Sequence, residues 1–354
     1  MLQGTPRTRP DGSDRVLGER YDTALLDLDG VVYVGGEAVA HAPSSLAAAR
    51  DGGMRLAYVT NNAARTPRTV AEHLTRIGVP AADEDVITSA QAVSRLIAEQ
   101  VAPGAPVLAI GGEGLRAALA EQGLRVVESA DDGPAAVVQG FGGPALPWGS
   151  LQEAAVAVGR GVPWFASNTD LTIPGERGIL PGNGAAVEVV RIATRWMPEP
   201  PEPRVAGKPL PPMHRETILR TGARHPLVVG DRLDTDIEGA CAGGVDSLLV
   251  LTGVTDGAQL LAARPDHRPT YVSRDLRGLL APAPPVTGEA AAGFTCGGWT
   301  ASAQGPELRL AAADEAESGD PLDGLRALCA AAWTAAGDGV CTLDAAKSLA
   351  RLGL

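Results

Sequence analysis

Asp27 and Asp29 stand two residues apart in Ala24-Leu25-Leu26-Asp27-Leu28-Asp29-Gly30, a short apolar run that ends in carboxylates and glycine. A fully buried parallel strand has this character when it delivers polar groups at its C-terminal end. On an extended strand the two side chains would point the same way, and in open α/β sheets that edge is where ligands bind. Carboxylates so close repel each other unless a cation or a shared proton relieves them. Magnesium does this naturally, because it takes a few hard oxygen ligands and keeps waters for a phosphate group.

A second buried-type run, Leu227-Val228-Val229-Gly230, ends in Asp231-Arg232-Leu233-Asp234-Thr235-Asp236. Asp231 would sit at the strand tip and Asp236 on the first turn of the next helix, where negative charge is favoured. Helix capping by Asp234 or Asp236 is the plainer alternative. Thr60 and Asn61 end another strand and offer a hydroxyl and an amide, both suited to phosphate oxygens without added charge. Gly207-Lys208-Pro209 adds a glycine for close approach and a lysine, which binds phosphate as a point charge. Lysine is rare here: Lys208 and Lys347 are the two lysines among 30 basic residues.

These residues need elements to carry them, and the chain supplies a repeating alternation. Strands are expected at 55–60, 107–110, 124–127, 136–139, 164–166, 227–229 and 247–251. Helices are expected at 44–51, 66–77, 115–121, 151–159, 185–196 and 213–221. Repeated βα units of this kind indicate α/β architecture with parallel sheets. An Ala/Pro-rich stretch at 281–292 reads as a linker. Beyond it, 299–304 and 307–311 flank Gly305-Pro306 as a hairpin, followed by a helix over 325–336.

The ordered set DxDG, strand-Thr-Asn, Gly-Lys-Pro and strand-Gly-Asp-x-x-x-x-Asp resembles the four motifs of the haloacid dehalogenase-like phosphohydrolase superfamily. The resemblance spans roughly 21–280. The long α/β insertion, with Asp27-Leu28-Asp29-Gly30-Val31-Val32-Tyr33 and Gly230-Asp231-Arg232-Leu233-Asp234-Thr235-Asp236-Ile237, is similar to the class IIA phosphatases. Within that class the added tail is most similar to actinobacterial glycerol-3-phosphate phosphatases.

The resemblance implies a Rossmann-like parallel-sheet core at 21–90 and 200–280, with an inserted α/β cap at 91–199. Around these it leaves a mobile N-terminal arm at 1–20, the linker at 281–292 and a small C-terminal α+β extension at 293–354. It implies Asp27 as nucleophile, Asp29 as acid and base, and Mg²⁺ held by Asp27, the Asp29 carbonyl and Asp231. Asp236 would order metal waters or Lys208. Thr60, Asn61 and Lys208 would bind phosphate. The implied activity is hydrolysis of a small phosphate monoester, glycerol 3-phosphate foremost, through an aspartyl-phosphate. Phosphoglycolate and pyridoxal phosphate are the alternative substrates, and a phosphate-ligand sensor on the same fold is the non-enzyme alternative.

An insertion of about 100 residues is too large for a loop and needs its own core. Its candidate substrate contacts are Asn168, Asp170 and Asn183, with helix capping an equal alternative for Asn183. His214 and Arg232 lie beside motif residues and read as solvated. Aromatic content is 3%, so a ring clamp has few residues to draw on, and Trp148, Trp164 and Phe165 are expected in the core. The resemblance implies an acetyltransferase-like fragment in the tail, which lacks a Gly-rich pyrophosphate loop and so reads as structural or as an oligomer contact in a homo-oligomer, without catalysis.

A net charge of −12 argues against nucleic acid or an anionic membrane as partner. No apolar run approaches the ~20 residues that span a bilayer, and 1–20 has no signal-like apolar segment. Four scattered cysteines make neither a disulfide framework nor a zinc site. A cytoplasmic protein acting on a small phosphate ester is expected.

Overall fold

The computed structural model describes residues 7–175, 178–312 and 319–354. The chain forms two compact units, 1–56 with 223–354, and 57–222.

In the first unit, parallel strands run in the order Tyr271–Ser273, Asp246–Val250, Pro226–Gly230 and Thr23–Leu26. Leu26 pairs with Val229 and Gly230 with Leu249, so neighbouring strands end level. Thr23–Leu26 is buried along its whole length, as expected of an apolar strand covered on both faces. A second, antiparallel sheet contains Thr287–Glu289, Gly293–Cys296, Trp299–Gln304 and Glu307–Ala312, with the helix Pro321–Ala336 packed on it. One apolar core unites this layer with the parallel sheet. It joins Leu249, Leu260 and Val272 to Phe294, Trp299, Leu325 and Trp333.

Two segments differ from expectation. Residues 7–20, expected as a mobile arm, are tied down: Asp11 N–H donates to Thr270 O and Ser13 N–H to Ala283 O, both at 2.8 Å. Arg7 pairs with Asp246 at 2.8 Å and Leu17 is buried. Polar composition concealed this, because the contacts are largely main-chain. Within 281–292, expected as a linker, Val286 is buried and Thr287–Glu289 forms a strand.

The second unit holds a five-stranded parallel sheet in the order Arg204–Val205, Trp164–Ala166, Ala136–Gln139, Pro106–Ile110 and Arg125–Val127. Its core includes Leu108, Val137, Ala154, Val158, Trp164 and Val187. Trp164 and Phe165 are buried as expected, whereas Trp148, the first residue of the helix Trp148–Gly159, is 63% exposed. Residues 58–60 pair in parallel with Val86–Thr88, and Thr88 starts the helix Ser89–Ala98 with a reciprocal cap to Gln91. Among the described residues no helix is long and apolar enough to cross a membrane.

Candidate active site

The first unit gathers three carboxylates. Asp27 follows the Thr23–Leu26 strand directly, and its N–H donates to Val229 O at 2.8 Å, which fixes it beside the end of Pro226–Gly230. Carboxylate oxygens of Asp27, Asp231 and Asp236 all lie within 4.8 Å of one another. Asp231 is fully buried, Asp236 is buried and Asp27 half-buried.

Glycine makes the gathering possible. A Cβ at Gly30 would stand 2.5 Å from Asp231 Oδ2, and Gly30 has φ +87°. A Cβ at Gly230 would run into the Asp236 side chain. Asp236 sits in one wide π-type turn, Leu233–Ile237, and its Oδ2 accepts the Arg232 N–H at 3.3 Å. Such wide turns are frequent at functional sites. The N-cap side chains themselves make no cap bond, and Asp236 reaches back to the N–H of Arg232, the N-cap of its turn. Asp234 instead pairs with Arg232, whose guanidinium holds its carboxyl below the usual range.

Asp27 and Asp29 do not share a strand face, because the strand stops at Leu26. Residues 28–33 form a turn in which Leu28 O accepts N–H groups from Val31, Val32 and Tyr33, and Gly30 N–H donates to Tyr33 O. Strand alternation therefore does not set the relation of the two aspartates. Asp29 is exposed.

Sequence reasoning passed over the 252–256 loop, which follows the Asp246–Val250 strand. Val254 N–H donates to Asp231 Oδ2 at 2.7 Å, and Thr255 donates to Asp231 O through its N–H at 3.2 Å and its Oγ1 at 2.6 Å. Thr252 Oγ1 donates to Gly30 O at 2.5 Å. The available signal was Leu251-Thr252-Gly253, a hydroxyl and a glycine at a parallel strand's C-terminal end.

The second unit joins Asn61, Lys208, Asn168, Asp170 and Asn183 in one polar network, with Thr60 directly before Asn61. Thr60 is buried at the end of its strand, and its Oγ1 accepts the Asn62 N–H. Asn61 Oδ1 accepts the Lys208 N–H at 2.8 Å, while its Nδ2 donates to Lys208 O and to Asp170 Oδ2. Lys208 Nζ donates to Val59 O at 3.1 Å. Asn168 Nδ2 donates to Asn61 O at 2.7 Å, and Asn183 Nδ2 donates to Asn168 O at 2.7 Å. Asn183 thus braces the backbone of Asn168, Asn168 that of Asn61, and Asn61 that of Lys208. Gly207 has no room for a Cβ, which would stand 2.7 Å from Asn61 Oδ1. His214 is half-buried, and burial lowers its pKa.

A second group, Glu238, Asp266 and His267, also has its ligand atoms within 4.8 Å. There the Arg264 guanidinium contacts all three side chains, so the charge is met within the protein.

Residues 24–125 match the haloacid dehalogenase-like hydrolase family model, and residues 205–279 match a HAD-hydrolase-like model. Residues 296–354 match a GCN5-related N-acetyltransferase like domain. The chain is 48% identical over 263 residues to the D-glycerol 3-phosphate phosphatase of Mycobacterium tuberculosis, covering 74% of this chain and 72% of that one. It is 35% identical over 265 residues to the acid sugar phosphatase of Staphylococcus saprophyticus, covering 74% and 98%. The crystal structure of the glycerol phosphate phosphatase from Mycobacterium tuberculosis in complex with magnesium superposes with TM-score 0.81 at 42% identity, over 90% of this chain and 92% of that one. Its complex with calcium gives 0.83 at 40% identity, over 96% and 99%.

Proposed function

Because this chain belongs to the haloacid dehalogenase-like hydrolases, we propose that it is a magnesium-dependent phosphatase for a small phosphate monoester, glycerol 3-phosphate foremost. The observation that carries the reading is the cluster of Asp27, Asp231 and Asp236, drawn from two strand ends and largely buried. A group of three carboxylates suits a hard cation such as magnesium, whereas a zinc or copper site would draw on nitrogen or sulfur. Gly30 and Gly253 leave the Asp231 carboxylate room that any side chain would take. The two crystal structures of the mycobacterial relative, one with magnesium and one with calcium, point the same way.

In this reading Asp27, Asp231 and the Asp29 carbonyl hold the ion, and Asp236 orders its surroundings. When bound, the ion offsets the charge that carboxylates and a phosphate dianion bring together. The Asp27 carboxylate attacks phosphorus, forming an Asp27 oxygen–phosphorus bond as the ester oxygen–phosphorus bond breaks. Asp29 gives its proton to the departing alkoxide. It then takes a proton from the water that hydrolyses the aspartyl-phosphate, a role worth about 10²–10⁴-fold. Thr60 and Lys208 bind phosphoryl oxygens. Asn61, whose side-chain amide is committed to the Lys208 backbone, acts by fixing Lys208. Asn168, Asp170 and Asn183 act through the same bracing. The reading takes the protein as cytoplasmic and without a nucleic-acid partner, in keeping with its charge of −12.

The test is release of inorganic phosphate by the full chain from glycerol 3-phosphate, phosphoglycolate and pyridoxal phosphate, with magnesium and with chelator. Magnesium-dependent release, fastest from glycerol 3-phosphate, is expected. Asp27→Asn is expected to abolish turnover with an unchanged melting temperature. No release from any ester, or substantial turnover by Asp27→Asn, would overturn the reading.

A further inference from the structure

Asp231 is gripped from outside its own strand and loop. Its Oδ2 takes the Val254 N–H, and its main-chain oxygen takes both Thr255 donors. The same loop reaches the other half of the site, where Thr252 Oγ1 holds Gly30 O in the turn that follows Asp29. Four hydrogen bonds from 252–255 therefore tie the Asp27–Gly30 turn to Asp231. Thr255 is buried. Gly253 lies against the Asp231 carboxylate with no space for a Cβ.

The loop in turn has an anchor. It runs directly into the helix Gly257–Leu261, capped by Asp256, whose carboxylate accepts the Gln259 N–H at 2.8 Å. That helix is held by the C-terminal extension. Trp333 Nε1 donates to Leu260 O at 3.1 Å, and Leu349 and Leu325 pack where a Cβ of Gly257 would stand, at 3.0 and 3.6 Å. Leu260, Leu325, Trp333 and Leu349 belong to one buried core.

We propose that the 252–256 loop is a clasp that positions Asp231 and the Gly30 turn for metal binding, and that the C-terminal extension holds the clasp in place. The inference rests on the phosphatase reading. Thr252 and Thr255 are positioning residues: Thr255 holds the backbone of Asp231, and Thr252 holds that of Gly30, the residue after Asp29. In this way the extension sets the exactness of a site whose residues lie elsewhere in the chain.

The test compares Thr252→Val and Thr255→Val, which keep shape and remove the hydroxyl, with Thr252→Ser and Thr255→Ser, which restore it, and with Leu349→Ala in the extension. Magnesium binding to the metal-free full chain is read by calorimetry, and the magnesium midpoint of p-nitrophenyl phosphate hydrolysis is read beside it. Removing a group that orients a metal ligand typically costs roughly 10–100-fold in metal affinity. The valine variants are expected to lose affinity on that scale, with turnover recovering at high magnesium, and the serine variants are expected to bind as the parent does. Leu349→Ala is expected to weaken binding in the same direction.

Valine variants that bind magnesium within about twofold of the parent, far below the loss expected for an orienting group, would overturn the clasp. Leu349→Ala with parental affinity would overturn the anchoring by the extension. Asp231→Asn separates the two levels. If it too binds magnesium as the parent does, the metal site itself is wrong; if it loses binding while the valine variants do not, the clasp alone fails. Should a valine variant not fold by circular dichroism, the corresponding alanine variant takes its place.

Discussion

Gly253→Ala is expected to disable the site while leaving the fold intact. A Cβ at this position would stand 2.5 Å from Asp231 Cγ and 2.9 Å from its Cβ, and it would press hardest on Oδ2. Non-bonded carbons rest about 3.5–4.0 Å apart, so either the carboxylate retreats by about 1 Å or the loop lifts by as much. Either movement breaks the 2.7 Å bond from Val254 N–H to Oδ2. A misplacement of about 1 Å near reacting groups costs on the order of 10²-fold in rate, equivalent to about 2.7 kcal/mol of barrier. Gly253 is itself exposed, so no core packing is lost. The assay is phosphate release against magnesium concentration, with the melting temperature as control. Parental turnover and a parental magnesium midpoint in this variant would refute the idea that Asp231 must occupy that space.

Arg326 is buried on the Pro321–Ala336 helix, where it donates to Val272 O at 3.2 and 2.6 Å and pairs with Asp323 at 2.5 Å. Breaking a buried pair from one side costs about 3–5 kcal/mol, so Arg326→Met should lower the urea midpoint sharply. Adding Asp323→Leu should recover all but the ~1–3 kcal/mol of an unmet Val272 carbonyl; a double variant as unstable as the single one would contradict this account. Burial pushes the Cys296 thiol up to about 12 and raises that of Cys329 as well. A thiol reagent should therefore modify Cys241 and Cys341 in the native protein and all four cysteines after unfolding. Rapid native labelling of Cys296 or Cys329 would mean that the extension is not docked as described.

Much of this was legible in the sequence because strand ends announce themselves. Leu26-Asp27 and Gly230-Asp231 change from apolar to charged at the residue where the strand stops, and Thr60 marks the end of Arg55–Thr60 in the same way. Helix starts were less legible where proline leads. Pro211 and Pro321 open their helices, two and four residues before the expected starts at 213 and 325. Proline breaks helix interiors but suits the first turn, where its missing N–H has no partner to lose. The asparagine bracing of Asn61, Asn168 and Asn183 was hidden for another reason: it consists of side-chain amides serving backbone groups far away in sequence. The clasp was missed because threonine and glycine after a strand look like any turn, and only the third dimension shows what their hydroxyls hold.

The pairing of Thr23–Leu26 with Pro226–Gly230 has a consequence for biosynthesis. Asp27 and Asp231 are 231 − 27 = 204 positions apart, so at about 5–20 residues per second a ribosome delivers the second some ten to forty seconds after the first. The continuous stretch 57–222 emerges entirely within that interval and can complete its own sheet. Its host must meanwhile keep an apolar strand from straying, and its core is finished only when Trp333 and Leu349 arrive.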